Sequence, residues 1–65
     1  MNALEAHVRA TREVENAIRR LSRRKAPEIS AASVVVEVQR KKQLDESEVQ
    51  NLKQLAAEAL RRRWG

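Results

Sequence analysis

Runs of basic residues are the part of the sequence whose chemistry is easiest to state. Guanidinium and ammonium groups donate charge-assisted hydrogen bonds to phosphates and carboxylates, and arginine does so in a bidentate geometry. Eight basic residues fall in two groups, at 19–25 and 61–63: Arg19, Arg20, Arg23, Arg24, Lys25, Arg61, Arg62 and Arg63. The whole chain has 14 basic and 9 acidic residues, a net charge of +5, so we expect an anionic partner.

Helix electrostatics offers a second explanation for these two groups. A basic side chain in the last turn of a helix, or an acidic one in the first, stabilises the helix by about 0.3–1 kcal/mol. If three helices run up, down and up, however, the first and third end at the same end of the bundle. The eight residues would then form one surface, here called the basic pole, with more charge than helix stabilisation requires.

Nucleic acid is one partner that such a pole would bind. The third predicted helix also carries Gln50, Asn51 and Gln54, whose amides are able to hydrogen-bond to base edges. Three carboxylates between residues 45 and 48 oppose this hypothesis, because they would bring negative charge to the helix end that usually enters the major groove. The sequence therefore favours an acidic protein partner, with nucleic acid as the alternative.

Catalytic and metal-binding chemistry has little support. Cysteine is absent, and the single histidine, His7, lies in an apolar stripe, where we expect it to be partly buried and satisfied by a local hydrogen bond. Ser30, Ser33 and Ser47 stand at predicted helix starts, where capping accounts for them. The one glycine is residue 65, which leaves no glycine-rich phosphate loop. We predict no enzyme, no catalytic residue, no metal site and no cofactor.

Apolar runs and cysteine usage indicate the compartment. No apolar run is longer than three residues, the length of Val34–Val36, which is too short for a membrane span or a signal peptide. Without cysteine, nothing in the sequence points to an oxidising compartment. We therefore expect a cytoplasmic protein with no membrane partner.

Two long helices are predicted to carry the basic groups. Over residues 3–25, apolar residues from Leu4 to Leu21 recur at helical spacing, and Pro27 pushes the residue before it out of the helical region. Over residues 45–63, Asp45 and Glu48 form a capping-box pattern before a second apolar stripe. Each helix ends in one of the two basic groups.

The middle segment, residues 29–43, has two interpretations. A helix is favoured, because residues 39–43 are straight-chain helix formers and a lone strand would have no partner within the chain. The alternative is a strand at 33–39, paired across a dimer. The predicted fold is thus one all-α domain over residues 1–65, a small three-helix bundle or a helical hairpin plus a middle helix. Helix–strand–helix is the alternative.

Self-association is suggested by the apolar content. Ten of the 27 apolar residues are alanine, and a domain of this size buries only about 60% of its chain surface. As a helix, the middle segment carries valines on several sides, which calls for burial on several sides. We expect a homodimer, or a complex with another protein, with these contact residues: Val34, Val35, Val36, Val38 and Trp64. Trp64 also has the alternative role of folding back over the end of the bundle.

The predicted function follows from the basic pole and the apolar stripes together. We expect a small non-enzymatic helical module for protein–protein interaction or assembly, whose basic pole attracts an acidic partner. The alternative is a nucleic-acid-binding regulator that holds phosphates with arginine and lysine side chains.

Overall fold

The protein is a bundle of three α-helices. The computed structural model describes residues 3–64, and its helices are α1 (Ala3–Arg23), α2 (Ala31–Gln39) and α3 (Glu46–Trp64). Each helix packs against both of the others. The all-α prediction is confirmed, and the alternative strand at 33–39 is wrong, because that segment belongs to α2.

The end of α1 is set by its backbone hydrogen bonds. Lys25 has a positive φ of 55°, its N–H donates to the carbonyl of Ser22, and the N–H of Ala26 donates to the carbonyl of Leu21. These two bonds form a Schellman motif, which closes a helix with one residue in the left-handed conformation. Helix α1 therefore ends at Arg23, two residues before the predicted boundary.

Helix α2 is shorter than the predicted segment 29–43. Ser30 is its N-cap, and Ser30 and Ser33 form a reciprocal capping box, each side chain accepting from the other's backbone N–H. The helix ends at Gln39, and the N–H of Lys41 then donates to the carbonyl of Val38 in a tighter turn. The change of direction brings Leu44 back against the core.

Helix α3 begins as its sequence predicts. Asp45 Oδ1 accepts from the N–H of Glu48 at 2.8 Å, and Glu48 Oε1 accepts from the N–H of Asp45 at 3.3 Å. This capping box satisfies two backbone donors at the helix start. Leu44 and Val49, on either side of it, are partly buried against the core.

The core lies where the three helices meet. Its buried apolar residues come from all three: Val14, Ala17, Ile18, Leu21, Val34, Val35, Val38, Leu52, Ala56 and Ala59. Three of the four valines of α2, Val34, Val35 and Val38, are buried, because this helix packs against both α1 and α3. Three of the ten core residues are alanine, namely Ala17, Ala56 and Ala59, whose small side chains allow α1 and α3 to approach closely.

The apolar stripe predicted for α1 is buried over only part of its length. Val14, Ile18 and Leu21 are in the core, but Leu4 is 70% exposed and Val8 is exposed as well. Ala10 and Ala17, beside the predicted stripe, pack against the core or lie within it. The buried face has therefore turned toward the alanine side. None of the helices within residues 3–64 has the length and apolarity to cross a membrane.

Candidate functional site

The two basic groups lie at the same end of the bundle. Glu15 and Ile18 of α1 and Arg62 and Arg63 of α3 line one depression of about 130 Å³, which places the last turn of α3 beside the second half of α1. Residues 19–25 continue α1 and its C-terminal turn beyond this depression. The structure thus places both basic groups toward the same end of the bundle, and it divides their members between two environments.

Arg20 and Arg24 are held by a carboxylate of α2. Arg20 Nε donates to Glu37 Oε2 at 3.0 Å, and Arg24 Nη2 donates to Glu37 Oε1. Arg40 Nη1 lies 3.8 Å from the same Oε1 atom, at ion-pair distance. Glu37 is only 4% exposed, although it is charged. Glu37, Arg20, Arg24 and Arg40 are here called the Glu37 cluster.

The electrostatics of the Glu37 cluster favour an ionised carboxylate. The hydrogen bond from Arg24 lowers the pKa of Glu37, burial of the carboxyl opposes this by raising it, and the hydrogen bond from Arg20 lowers it further. The net direction is a pKa below the ordinary value of 4.5. At neutral pH the carboxylate therefore carries its full charge and joins α1 to α2.

The other six members of the basic pole are exposed to solvent. They are here called the terminal basic surface: Arg19, Arg23, Lys25, Arg61, Arg62 and Arg63. Arg19 Nη1 donates to Asn16 Oδ1 at 3.3 Å. Within residues 3–64, Arg23, Lys25, Arg61 and Arg62 form no ion pair with a carboxylate.

Trp64 stands beside this surface and does not cover the core. Its side chain is 60% exposed, and the guanidinium carbon of Arg63 lies 5.4 Å from the centre of its ring. That separation is within the range of a cation–π contact. Trp64 therefore does not fold back over the end of the bundle, which was one of the two roles expected from the sequence.

The valines predicted to mediate self-association are mostly inside the single chain. Val34, Val35 and Val38 belong to the core, and Val36 alone of the four is exposed. This corrects the predicted contact surface, because a side chain buried within one copy is not available to another folded copy. Val36 and Trp64 are the members of the predicted set that remain at the surface.

The histidine and the serines considered for catalysis are exposed or take part in helix capping. The His7 side chain is exposed, so its expected partial burial is wrong; the local hydrogen bond runs from the Thr11 hydroxyl to the His7 backbone carbonyl, at 2.9 Å. Ser30 and Ser33 are engaged in the capping box of α2. In the described part of the chain, no three His, Cys, Asp or Glu side chains are grouped so as to hold a metal ion.

Glu37 and Arg40 are the site residues that sequence analysis missed. Glu37 stands between Val36 and Val38, a spacing that also suits the outward face of a strand. In a helix, Glu37 lies three residues after Val34 and shares its buried face, so a carboxylate there must be buried with a cation. A charged residue on an apolar helix face was thus the sign in the sequence of a buried ion pair. Arg20 and Arg24, four residues apart at the end of α1, were the cations available to it.

Comparison of the chain with protein-family models, with characterised proteins and with solved structures found no match.

Proposed function

We propose that the chain is a non-enzymatic interaction module that binds an acidic protein partner through Trp64 and the terminal basic surface. The observation that carries this proposal is the exposed Trp64 ring, which stands against Arg63 at the end of a run of three arginines. Tryptophan and arginine are the residues most enriched among energetically dominant interface contacts. An exposed ring of this size, flanked by cations, suits a partner with apolar and acidic side chains.

The charge distribution supports the same partner class. Glu37 neutralises part of the charge of Arg20 and Arg24, whereas the terminal basic surface keeps its charge toward solvent. Exposed charges of one sign raise the rate of encounter with a partner of the opposite sign and select against like-charged surfaces. The arginines would thus orient the partner, and the Trp64 ring would supply the buried contact.

Binding to a defined acidic probe tests the proposal. The probe is a synthetic amphipathic helical peptide of Glu, Ala and Leu, and the emission of Trp64, the one tryptophan of the chain, reports the contact. Replacing Arg61, Arg62 and Arg63 with glutamine should weaken binding by about tenfold or more. The matched control replaces Arg9, Arg12 and Lys53 with glutamine, which removes the same charge elsewhere and should cost much less.

The expected outcomes separate this proposal from its rivals. A blue shift of Trp64 emission that saturates, together with a clear difference between the two triple variants, supports it. Equal losses in both variants would show attraction by net charge alone and would overturn it.

Nucleic-acid binding is the second candidate function, favoured by the six exposed cations of the terminal basic surface. The exposed carboxylates of Asp45, Glu46 and Glu48 at the start of α3 count against it. Titration with a random DNA duplex distinguishes the two. Micromolar binding that weakens steeply with added salt, tighter than binding to the peptide, would favour nucleic acid, because released counterions give that slope.

Self-association is a further form of the interaction hypothesis. Among residues 3–64, the exposed large apolar residues are Leu4, Val8, Val36 and Trp64. Leu4 and Val8 lie in the first turns of α1, whereas Trp64 ends α3 at the opposite end of the bundle. Stable interfaces bury about 800 Å² per partner, and these side chains form no single patch of that kind. We therefore place the partner contact at Trp64.

A further inference from the structure

The Glu37 cluster holds more positive charge than its carboxylate neutralises. Three guanidinium groups surround one carboxylate, and Arg24 and Arg40 are both directed at the same oxygen, Oε1. Glu13, a further carboxylate of α1, is paired with Lys42 at 3.1 Å. Cations held this close repel one another, so a second anion between them would lower the electrostatic energy of the cluster.

Arg40 has N–H donors that are able to bind such an anion. Its distance of 3.8 Å from Glu37 Oε1 is beyond hydrogen-bond length, and its side chain is 63% exposed. A guanidinium carries five N–H donors in a planar fork. Arg24 is also about half exposed, and only one of its nitrogens donates to Glu37. Both groups therefore present unused N–H donors to solvent while Glu37 limits their motion.

A groove adjoins the cluster between α1 and the end of α2. It has a volume of about 200 Å³ and is lined by Arg20 of the cluster and by these residues: Glu13, Asn16, Val38, Lys41 and Lys42. Arg24 and Arg40 lie outside it, and Glu13 in it is paired with Lys42. Lys41 directly follows Arg40 in the chain and lines this groove, so it lies at the edge of the cluster.

We propose that the Glu37 cluster is a phosphate-binding site, in which Arg24 and Arg40 contact the phosphate oxygens and Lys41 lies at its edge. The planar fork of arginine matches a phosphate in a bidentate geometry. Glu37 is a positioning residue: it fixes the guanidinium groups before the ligand arrives, which reduces the ordering cost of binding. The site shares no residue with the Trp64 contact, so either proposal can fail without the other.

Inorganic phosphate is the probe that tests this site. The full chain, labelled with ¹⁵N, is titrated with sodium phosphate, and the arginine Nε–H resonances are followed against a sodium chloride titration at matched ionic strength. The expected result is a saturable shift of the Arg24 and Arg40 resonances that chloride does not produce. Shifts of the same size with both salts, or spread evenly over all arginines, would overturn the proposal.

Two variants show whether the binding depends on the cluster. Arg40→Gln removes a mostly exposed side chain, so the fold should persist, and phosphate affinity should fall by about fivefold or more. Arg12→Gln removes the same charge from an exposed position on α1 outside the cluster, and its effect should stay below about twofold. Equal losses in the two variants would contradict a built site. Circular dichroism of both variants checks that the helices are intact.

A second ligand identifies the source of the phosphate. A short oligothymidylate presents phosphodiesters, whereas inorganic phosphate resembles a free phosphate or a monoester. If the oligonucleotide shifts Arg24 and Arg40 and inorganic phosphate displaces it, the cluster takes the backbone of a nucleic acid. If inorganic phosphate alone shifts them, the ligand is a free phosphate or a phosphate monoester.

Discussion

The two halves of α1 carry the same kind of apolar spacing in opposite surroundings. In the second half, Val14, Ile18 and Leu21 are buried, and Arg20 and Arg24 are tied to α2 through Glu37. In the first half, Leu4 and Val8 are exposed. At 1.5 Å per residue, the nine residues of α2 extend about 13 Å, whereas the 21 residues of α1 extend about 31 Å.

The length of the neighbouring helix explains the difference between these halves. Helix α2 runs beside the second half of α1, where Glu37 meets Arg20 and Arg24, and it ends at Gln39. The chain then turns, and Leu44 packs on the alanine side of α1 near Ala10. Apolar spacing thus shows which residues of a helix are able to enter a core, and the reach of its partners decides which ones do.

Truncating a side chain in the buried half should have the largest effect on stability. Ile18 is fully buried, so Ile18→Ala leaves a cavity and should lower the free energy of unfolding by about 3–4 kcal/mol. For a chain of 65 residues this is a large share of the total. Thermal unfolding followed by circular dichroism should show a much lower Tm. A loss below about 1 kcal/mol would mean that this half is not tightly packed.

Removing the charge of Glu37 should break the connection between α1 and α2. Glu37→Gln should lower the free energy of unfolding by about 2 kcal/mol at pH 7. This value lies between those for buried and for exposed ion pairs, because Arg24 and Arg40 are partly solvated. Glu13→Gln, which removes the exposed pair with Lys42, is the matched control and should cost about 0.5 kcal/mol. Denaturant unfolding at neutral pH measures both.

The same variant has a defined pH dependence. The pKa of Glu37 is lower in the folded chain than its ordinary value of 4.5, so its stabilisation is complete above that value. It is lost as the pH falls through the folded-state pKa, because the folded chain must then take up a proton that the unfolded chain already holds. The difference in stability between wild type and Glu37→Gln should therefore shrink below pH 4.5. A constant difference across this range would assign the effect to packing.

Local chemistry made the helix starts predictable from sequence. Asp45 and Glu48 are three residues apart, and Ser30 directly precedes α2, so each cap depends on neighbours in the chain. The end of α2 at Gln39 was not predictable in this way. Residues 39–43 are good helix formers without Gly or Pro. The chain turns there because Leu44 packs against the core, which is a tertiary contact.

The candidate site was predictable only in part, for a related reason. Arg20 and Arg24 were recognisable as members of a basic group at the end of α1. Their partner Glu37 lies 17 and 13 positions away on another helix. Helical spacing fixes neighbours at i,i+4, but the pairing of two helices depends on how they pack. The division of the basic pole into a neutralised and an exposed part therefore required the structure.

A backbone change at the end of the buried half should give a smaller, stabilising effect. Lys25 has a left-handed conformation that glycine adopts without steric cost. Lys25→Gly should raise the free energy of unfolding by about 0.5–1 kcal/mol. Glycine relieves the strain of the left-handed conformation, and the greater flexibility of the unfolded chain offsets part of that gain. Lys25→Ala removes the same charge and keeps the strain, so it should leave stability nearly unchanged. Equal effects in the two variants would attribute the gain to charge.

The smallest effect is expected in the exposed half of α1. Leu4→Ala is the counterpart of the truncation at Ile18, but Leu4 is exposed and alanine is an equally good helix former. The free energy of unfolding should therefore change by less than about 0.5 kcal/mol. The same holds for Val8→Ala, where alanine is the better helix former.

The dependence of the Tm on protein concentration tests whether Leu4 and Val8 contact a second copy of the chain. If Leu4 and Val8 contacted a second copy, the Tm of the wild-type chain would rise with concentration, and Leu4→Ala would reduce that rise. We expect no such rise at micromolar concentration, because two exposed side chains on the first turns of α1 are a small area beside that of a stable interface. A concentration-dependent Tm that Leu4→Ala abolishes would show that the first half of α1 has its partner in another molecule.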